Sequence, residues 1–135
     1  MGTNRQDARF SEMGRRILVV EDDLLNRMFY CEVLQREGYE VKEVDDGAIV
    51  MDRARDFDPD LVIMDINLPH VSGIELIERL KADQNLADAP VLAITAYVGK
   101  KEEKRIREAG ASDYLAKPVS MKTFVSAIER LLPKH

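Results

Sequence analysis

Between positions 61 and 64 four apolar residues, Leu-Val-Ile-Met, run without a break into a single acid, Asp65, and a loop containing Asn67 and Pro69 follows. An apolar run this short, bounded by turn residues, suits a strand buried on both faces. Residues 17–20 form a second such run, closing on Glu21-Asp22-Asp23, and residues 91–94 a third, closing on Thr95. Strands buried on both sides need helices over both faces of one sheet, and few architectures provide that.

The intervening segments supply the helices. Residues 24–37 read as a helix stopped by Gly38. Residues 40–44 alternate polar and apolar, as an edge strand should, and Asp45-Asp46-Gly47 turns into a helix ending near Phe57, with Asp58-Pro59 as its stop. Ser72-Gly-Ile-Glu75 has the pattern of a capping box and opens a helix to about Asp83. A helix over about 98–109 ends at Gly110, a strand over 112–116 carries Tyr114 towards Lys117-Pro118, and a last helix follows Ser120. Its apolar residues at 121, 124, 125, 128, 131 and 132 fall on one 3.6-residue stripe. Five strands alternating with five helices imply an α/β fold, a doubly wound parallel sheet with right-handed crossovers.

Two helices break the ordinary pattern. The first carries Leu24, Leu25, Met28, Phe29, Tyr30, Cys31, Val33 and Leu34, apolar nearly all the way round, whereas a helix that only covers a sheet needs one stripe. The surplus means either deep burial or a docking surface. The helix at 98–109 is the reverse: between Lys100 and Glu108 only Ile106 is apolar, so it should be the least firmly held.

At 135 residues the chain suits one domain. Residues 1–14 are polar and without hydrophobic period, which predicts a disordered extension ahead of a domain at 15–133. No apolar run approaches the roughly 20 residues of a membrane span. Residues 1–16 carry four Arg against one Asp and one Glu, net +2, which leaves −7 on the rest of a chain whose formal charge is −5. An acidic body opposes nonspecific nucleic-acid binding. Cys31 is the one cysteine, so a reducing cytoplasm is expected and the thiol reads as a small buried hydrophobe. His70 and His135 read as surface residues.

In a parallel sheet the strand ends share one rim, so Glu21/Asp22, Asp65, Thr95 and Lys117 converge from distant positions. Clustered carboxylates repel, by about 4 kcal/mol for unit charges roughly 4 Å apart at an effective dielectric near 20. Either one of them binds a proton or a cation binds among them. Oxygen ligands without His or Cys suit a hard ion, Mg²⁺ ahead of Ca²⁺ because no twelve-residue calcium loop is present. Such an ion would polarise an incoming phosphoryl group, Lys117 would balance its charge, and Thr95 would donate a hydrogen bond. The chemistry fits phosphoryl transfer onto Asp65.

Val20-Glu21-Asp22, Met64-Asp65, Leu68-Pro69-x-x-x-Gly73, Thr95-Ala96, Tyr114 and Lys117-Pro118 together resemble the receiver domain of two-component response regulators. Leu25-Asn26 after the acids, Thr95-Ala-Tyr97, Glu103-x-x-Ile106-Arg-Glu108 and Lys117-Pro-Val-Ser120 are most similar to the DivK-type single-domain regulators of bacterial cell-cycle phosphorelays. The resemblance implies a flavodoxin-like (βα)5 fold with strand order 2-1-3-4-5. It implies that Asp65 accepts phosphate from a phosphohistidine on a histidine kinase or histidine phosphotransferase. Asp22, Asp65 and the Asn67 carbonyl would ligate Mg²⁺, with Glu21, where Asp is commoner, acting through water. Thr95 and Lys117 would grip the phosphoryl group and Tyr114 would report on Thr95. Asn67 and Tyr97 would tune the phosphate's lifetime, and Leu25, Met28 and Pro118 would dock the partner. The implied protein is a monomer or weak dimer without a separate enzymatic output, signalling to a downstream protein target.

Each residue also has a plainer reading. Glu21 and Asp22 suit a solvated turn, Asp65 a cap, Thr95 a strand-end hydroxyl, Lys117 a solvated cation and Tyr114 a core aromatic; their joint spacing argues against all of these at once. The rivals are a receiver excised from a hybrid kinase or longer regulator, a phosphorylation-independent scaffold, and a flavin carrier, for which no nucleotide-binding loop is evident.

Overall fold

The computed structural model describes residues 14–97 and 99–133, so the extension expected over 1–14, apart from the buried Gly14, lies outside the described residues, as do Val98 and His135. The strands are β1 (Arg16–Val20), β2 (Glu40–Val44), β3 (Leu61–Asp65), β4 (Val91–Thr95) and β5 (Asp113–Ala116). The helices are α1 (Leu24–Arg36), α2 (Val50–Phe57, entered through a 3₁₀ turn at Gly47–Ile49), α3 (Gly73–Ala82), α4 (Lys100–Ala109) and α5 (Met121–Leu131). All four ladders are parallel and the sheet order is β2-β1-β3-β4-β5, as expected. Among the described residues no helix is long and apolar enough to cross a membrane.

Side chains alternate across a strand, and that alternation divides the core in two. Ile17, Val19, Leu61, Ile63, Leu92, Ile94 and Leu115 meet α1 and α5 on one face. There Tyr30 stacks on Phe124 with centroids 5.0 Å apart, and Phe29 leans on both. Leu18, Val20, Val62, Met64, Val91 and Ala93 meet α2, α3 and α4 on the other. β3 and β4 are buried over their full lengths, while β2 buries only Val44, as an edge strand does.

Local chemistry sets the helix ends. Asp23 caps α1 by accepting from Asn26 N, and Ser120 caps α5 by accepting from Thr123 N at 3.1 Å. The capping box at α3 forms only in half: Ser72 accepts from Ile74 N at 3.1 Å, but Glu75 pairs with Arg79 one turn on. α4 stops at Gly110, whose φ of 118° favours glycine. Met121, the first residue of α5 and a member of the predicted stripe, is exposed. At the opposite end of the sheet from Asp65, both Nη atoms of Arg15 donate to the Pro133 carbonyl, at 3.3 and 3.4 Å.

The surplus of apolar residues on α1 resolves as surface. Tyr30, Cys31, Val33 and Leu34 are buried, whereas Leu24, Leu25 and Met28 are 57%, 75% and 57% exposed. Cys31 is buried, and that burial pushes its thiol up to about 11. His70 is exposed, in the left-handed region at φ 73°.

Candidate functional site

The strand order reverses between β1 and β3, and the carboxyl end of this switch point is where an open parallel sheet offers a crevice. Glu21 extends β1 by donating its N–H to Val44 O at 3.1 Å, and Asp65 closes β3. Both are buried to within 1% of complete, and Asp22 beside them is exposed. One ligand oxygen from each of Glu21, Asp22 and Asp65 lies within 4.8 Å of the others. Gly73 lets the start of α3 pack against the end of β3: a Cβ there would fall 2.3 Å from the Asp65 carbonyl oxygen.

Lys117, at the end of β5, brings the balancing charge. Its Nζ donates to Asp65 Oδ1 at 3.1 Å across 52 positions of sequence, and stands 3.8 Å from Glu21 Oε1. Its N–H donates to Thr95 O at 2.8 Å, so β4 fixes where the lysine leaves the sheet. One cation facing two buried carboxylates leaves charge over. Asp65 Oδ2 and Glu21 Oε1 are buried without a hydrogen-bond partner among the described residues. Burial, with the Asp65 charge added and the Asp23 N–H opposing, pushes the Glu21 carboxyl up to about 7. Orphaned, oxygen-only and electron-rich, this donor set fits a hard divalent cation.

Thr95 is fully buried at the tip of β4, on the row of Val91 and Ala93 that faces α2, α3 and α4. Its Oγ1 accepts from Tyr97 N at 3.1 Å. Tyr114 is paired in register with Ala93 and packs on that same face, half-buried, with the Arg107 guanidinium 5.3 Å from its ring centroid. Burial, then the Glu103 carboxylate, raise its phenol above the ordinary value. Tyr97 is 64% exposed at the rim. Leu25 and Met28 lie on the exposed side of α1, and Pro118 joins Asn26, Phe29, Tyr30, Lys117 and Val119 around a cavity of about 500 Å³. Glu21, Asp22 and Asp65 thus cluster, Lys117 faces two of them, Thr95 and Tyr114 lie on the α4 side, and of the residues expected to dock a partner Pro118 shares its cavity with Lys117 while Leu25 and Met28 are exposed on α1.

Asn67 does more than its position in the loop announces. Its N–H donates to Asp65 Oδ1 at 2.9 Å, and its side-chain Oδ1 accepts from Ala96 N at 2.8 Å. Sequence reasoning reached the residue but missed the second bond; an amide two positions past a strand-end acid is the only signal for it. Lys81 escaped notice altogether. Its half-buried Nζ donates to Ala87 O and Ala89 O, at 3.0 and 2.8 Å, and pins the loop that enters β4.

A model of the response regulator receiver domain matches residues 17–129. The polar-differentiation response regulator DivK of Brucella ovis is 39% identical over 120 residues, covering 89% of this chain and 98% of its own. The chemotaxis response regulator CheY4 of Vibrio cholerae superposes with a TM-score of 0.83 at 26% identity, over 87% of this chain and 98% of that one. The receiver domain of the Pseudomonas aeruginosa sensor histidine kinase PA1611, which has a magnesium ion coordinated in its active-site cleft, gives 0.80 at 29% identity, over 89% and 98%. This chain belongs to the response regulator receiver domain family. Within it the chain is similar to DivK, and its function is that of a phosphorelay response regulator.

Proposed function

We propose that Asp65 is the phosphoacceptor, taking the phosphoryl group from a phosphohistidine on a histidine kinase or histidine phosphotransferase. The observation that carries this reading is the contact of Lys117 with the buried Asp65 at 3.1 Å, with the second Asp65 oxygen unpartnered among the described residues. An Asp65 carboxylate oxygen attacks phosphorus, the phosphorus–nitrogen bond breaks, and its electron pair leaves on the imidazole. Lys117 follows the negative charge from carboxylate to phosphoryl oxygen. The Thr95 hydroxyl, an acceptor towards Tyr97 N, keeps its own hydrogen to donate. Asp22, Asp65 and the Asn67 carbonyl would hold Mg²⁺, with Glu21 acting through water. The bound ion would offset carboxylate repulsion and polarise the phosphoryl group.

Phosphorylation then shifts a two-state equilibrium that Thr95 and Tyr114 transmit to α4, β5 and α5, changing affinity for a downstream protein. Asn67 and Tyr97 flank the phosphate and set its lifetime, while Leu25, Met28 and Pro118 meet the phosphodonor. The protein acts in the cytoplasm as a single-domain regulator, monomeric or weakly dimeric. Incubation with acetyl phosphate and Mg²⁺, followed by intact mass, tests the assignment. The wild type gains one phosphoryl group and Asp65→Asn gains none; a gain that persists in Asp65→Asn overturns it.

A further inference from the structure

Of the three clustered acids, the sheet fixes two. Glu21 is tied by its N–H to Val44 O at 3.1 Å, and Asp65 ends β3 with Lys117 on its carboxylate at 3.1 Å. Asp22 is exposed and lies past the end of β1, on the three-residue link from Glu21 to Asp23 that leads into α1. Repulsion pushes an exposed carboxylate on such a link away from its two buried neighbours. One oxygen from each acid nevertheless lies within 4.8 Å of the others, so the link must be held.

Arg27 holds it. From the first turn of α1 its Nη1 donates to Glu21 O at 3.0 Å and to Asp22 O at 3.3 Å, while its Nε donates to Glu43 Oε1 at 2.9 Å. The Arg27 side chain is only 13% exposed. Glu43 is in register with Val19 of β1, so the guanidinium is anchored on the sheet itself. A planar guanidinium fixes the direction of each bond it donates, which a point charge does not. Its two bonds to the link go to main-chain oxygens, which leaves the Asp22 carboxylate to another partner.

Charge and geometry act in opposite directions here. A positive group near the acids weakens the binding of a second cation among them, whereas a fixed Asp22 strengthens it. Glu43 offsets the guanidinium charge and leaves the geometric effect dominant. We infer that Arg27 is a positioning residue for the acidic cluster, bracing the backbone of Glu21 and Asp22 from the Glu43 anchor so that Asp22 stands ready beside Glu21 and Asp65 for a hard divalent cation. The inference rests on the reading that these acids hold Mg²⁺.

Titration of the unphosphorylated full chain with Mg²⁺ by calorimetry tests the brace, with urea unfolding in the absence of metal to establish that each variant is folded. Arg27→Ala binds Mg²⁺ roughly 10- to 100-fold more weakly than the wild type, the loss typical of residues that orient metal ligands. Arg27→Lys keeps the charge without the fork and falls between the two. Arg36→Ala removes the same charge from the same helix, where Arg36 pairs with Glu32 at 3.0 Å, and leaves the affinity unchanged. An affinity in Arg27→Ala equal to or tighter than the wild type is the purely electrostatic outcome and overturns the inference while leaving the metal reading intact. An equal loss in Arg36→Ala also overturns it. Should Arg27→Ala fail to fold, Arg27→Lys decides, and wild-type affinity there overturns the brace. No Mg²⁺ binding by the wild type overturns the metal reading and this inference with it.

Discussion

α1 and α4 cover opposite faces of one sheet and are held in different ways. α1 buries Tyr30, Cys31, Val33 and Leu34, engages the aromatic stack around Phe124, and still leaves Leu24, Leu25 and Met28 in solvent. α4 buries Ile106 and Ala109 only. Apart from the Arg107 guanidinium on the Tyr114 ring, its charged side chains pair within the helix: Arg105–Glu102 at 3.2 Å, Arg107–Glu103 at 3.1 Å and Lys104–Glu108 at 4.0 Å run along its own surface. Such pairs contribute about 0.2–0.5 kcal/mol each to a helix as a helix, and nothing to fixing it on a sheet. α4 is therefore stiff yet loosely seated, whereas α1 is seated firmly and carries apolar surface to spare. Glu21 and Asp65 continue the strand rows on the α1 side, while Thr95 and Tyr114 lie on the α4 side. The acids stand with the firm helix and the candidate switch residues with the loose one.

The strongest way to break this contrast is at the centre of the firm face. Phe124→Ala removes the ring that Tyr30 and Phe29 pack on, and should cost about 3–5 kcal/mol. Urea unfolding should show one lowered midpoint, with α1 and the sheet lost together. Ile106→Ala, about 2–5 kcal/mol by the same reasoning, should act locally instead. Hydrogen exchange should rise through α4 while β1 stays protected; an equal rise in both would mean that α4 is seated as firmly as α1.

Smaller effects sharpen the comparison. Burial raises the Cys31 thiol to about 11, so folding favours its neutral form. Its contribution is complete below the unfolded value near 9 and is lost as pH climbs from there towards 11. The stability advantage of wild type over Cys31→Ala should shrink across that window, by at most about 1.4 kcal/mol per pH unit. Leu25→Glu should change stability least, within about 0.5 kcal/mol, because Leu25 touches little. It should nevertheless slow transfer from a phosphohistidine partner and spare phosphorylation by acetyl phosphate. If both reactions slow equally, the exposed side of α1 is not a docking surface.

What the sequence made legible follows the range of the interactions involved. Unbroken apolar runs located β1, β3 and β4, because burial on both faces is written in the strand itself, and β2 declared its edge position by alternation. The rim could be read as soon as the strands were ordered, since parallel strands share one carboxyl end. α1 could not be settled, because composition counts apolar residues without showing which side a neighbour covers. The capping box at Ser72 was half illusory: Glu75 had a competing partner in Arg79 one turn on in the same helix, and that exposed local pair formed instead. The Asn67–Ala96 bond and the half-buried Lys81 were illegible. Each depends on where a second loop passes, and no local pattern encodes that.

The bond from Arg15 to the Pro133 carbonyl has a practical consequence. It brings position 15 beside position 133, at the end of the strands opposite Asp65. A short linker could join these two positions, with new termini opened in a surface turn elsewhere, and the parallel ladders would be preserved. Two fluorophores attached near positions 15 and 133 would report unfolding as a change in their separation while leaving the acidic rim free for a partner. The geometry that closes the chain on itself also provides a handle for watching it work.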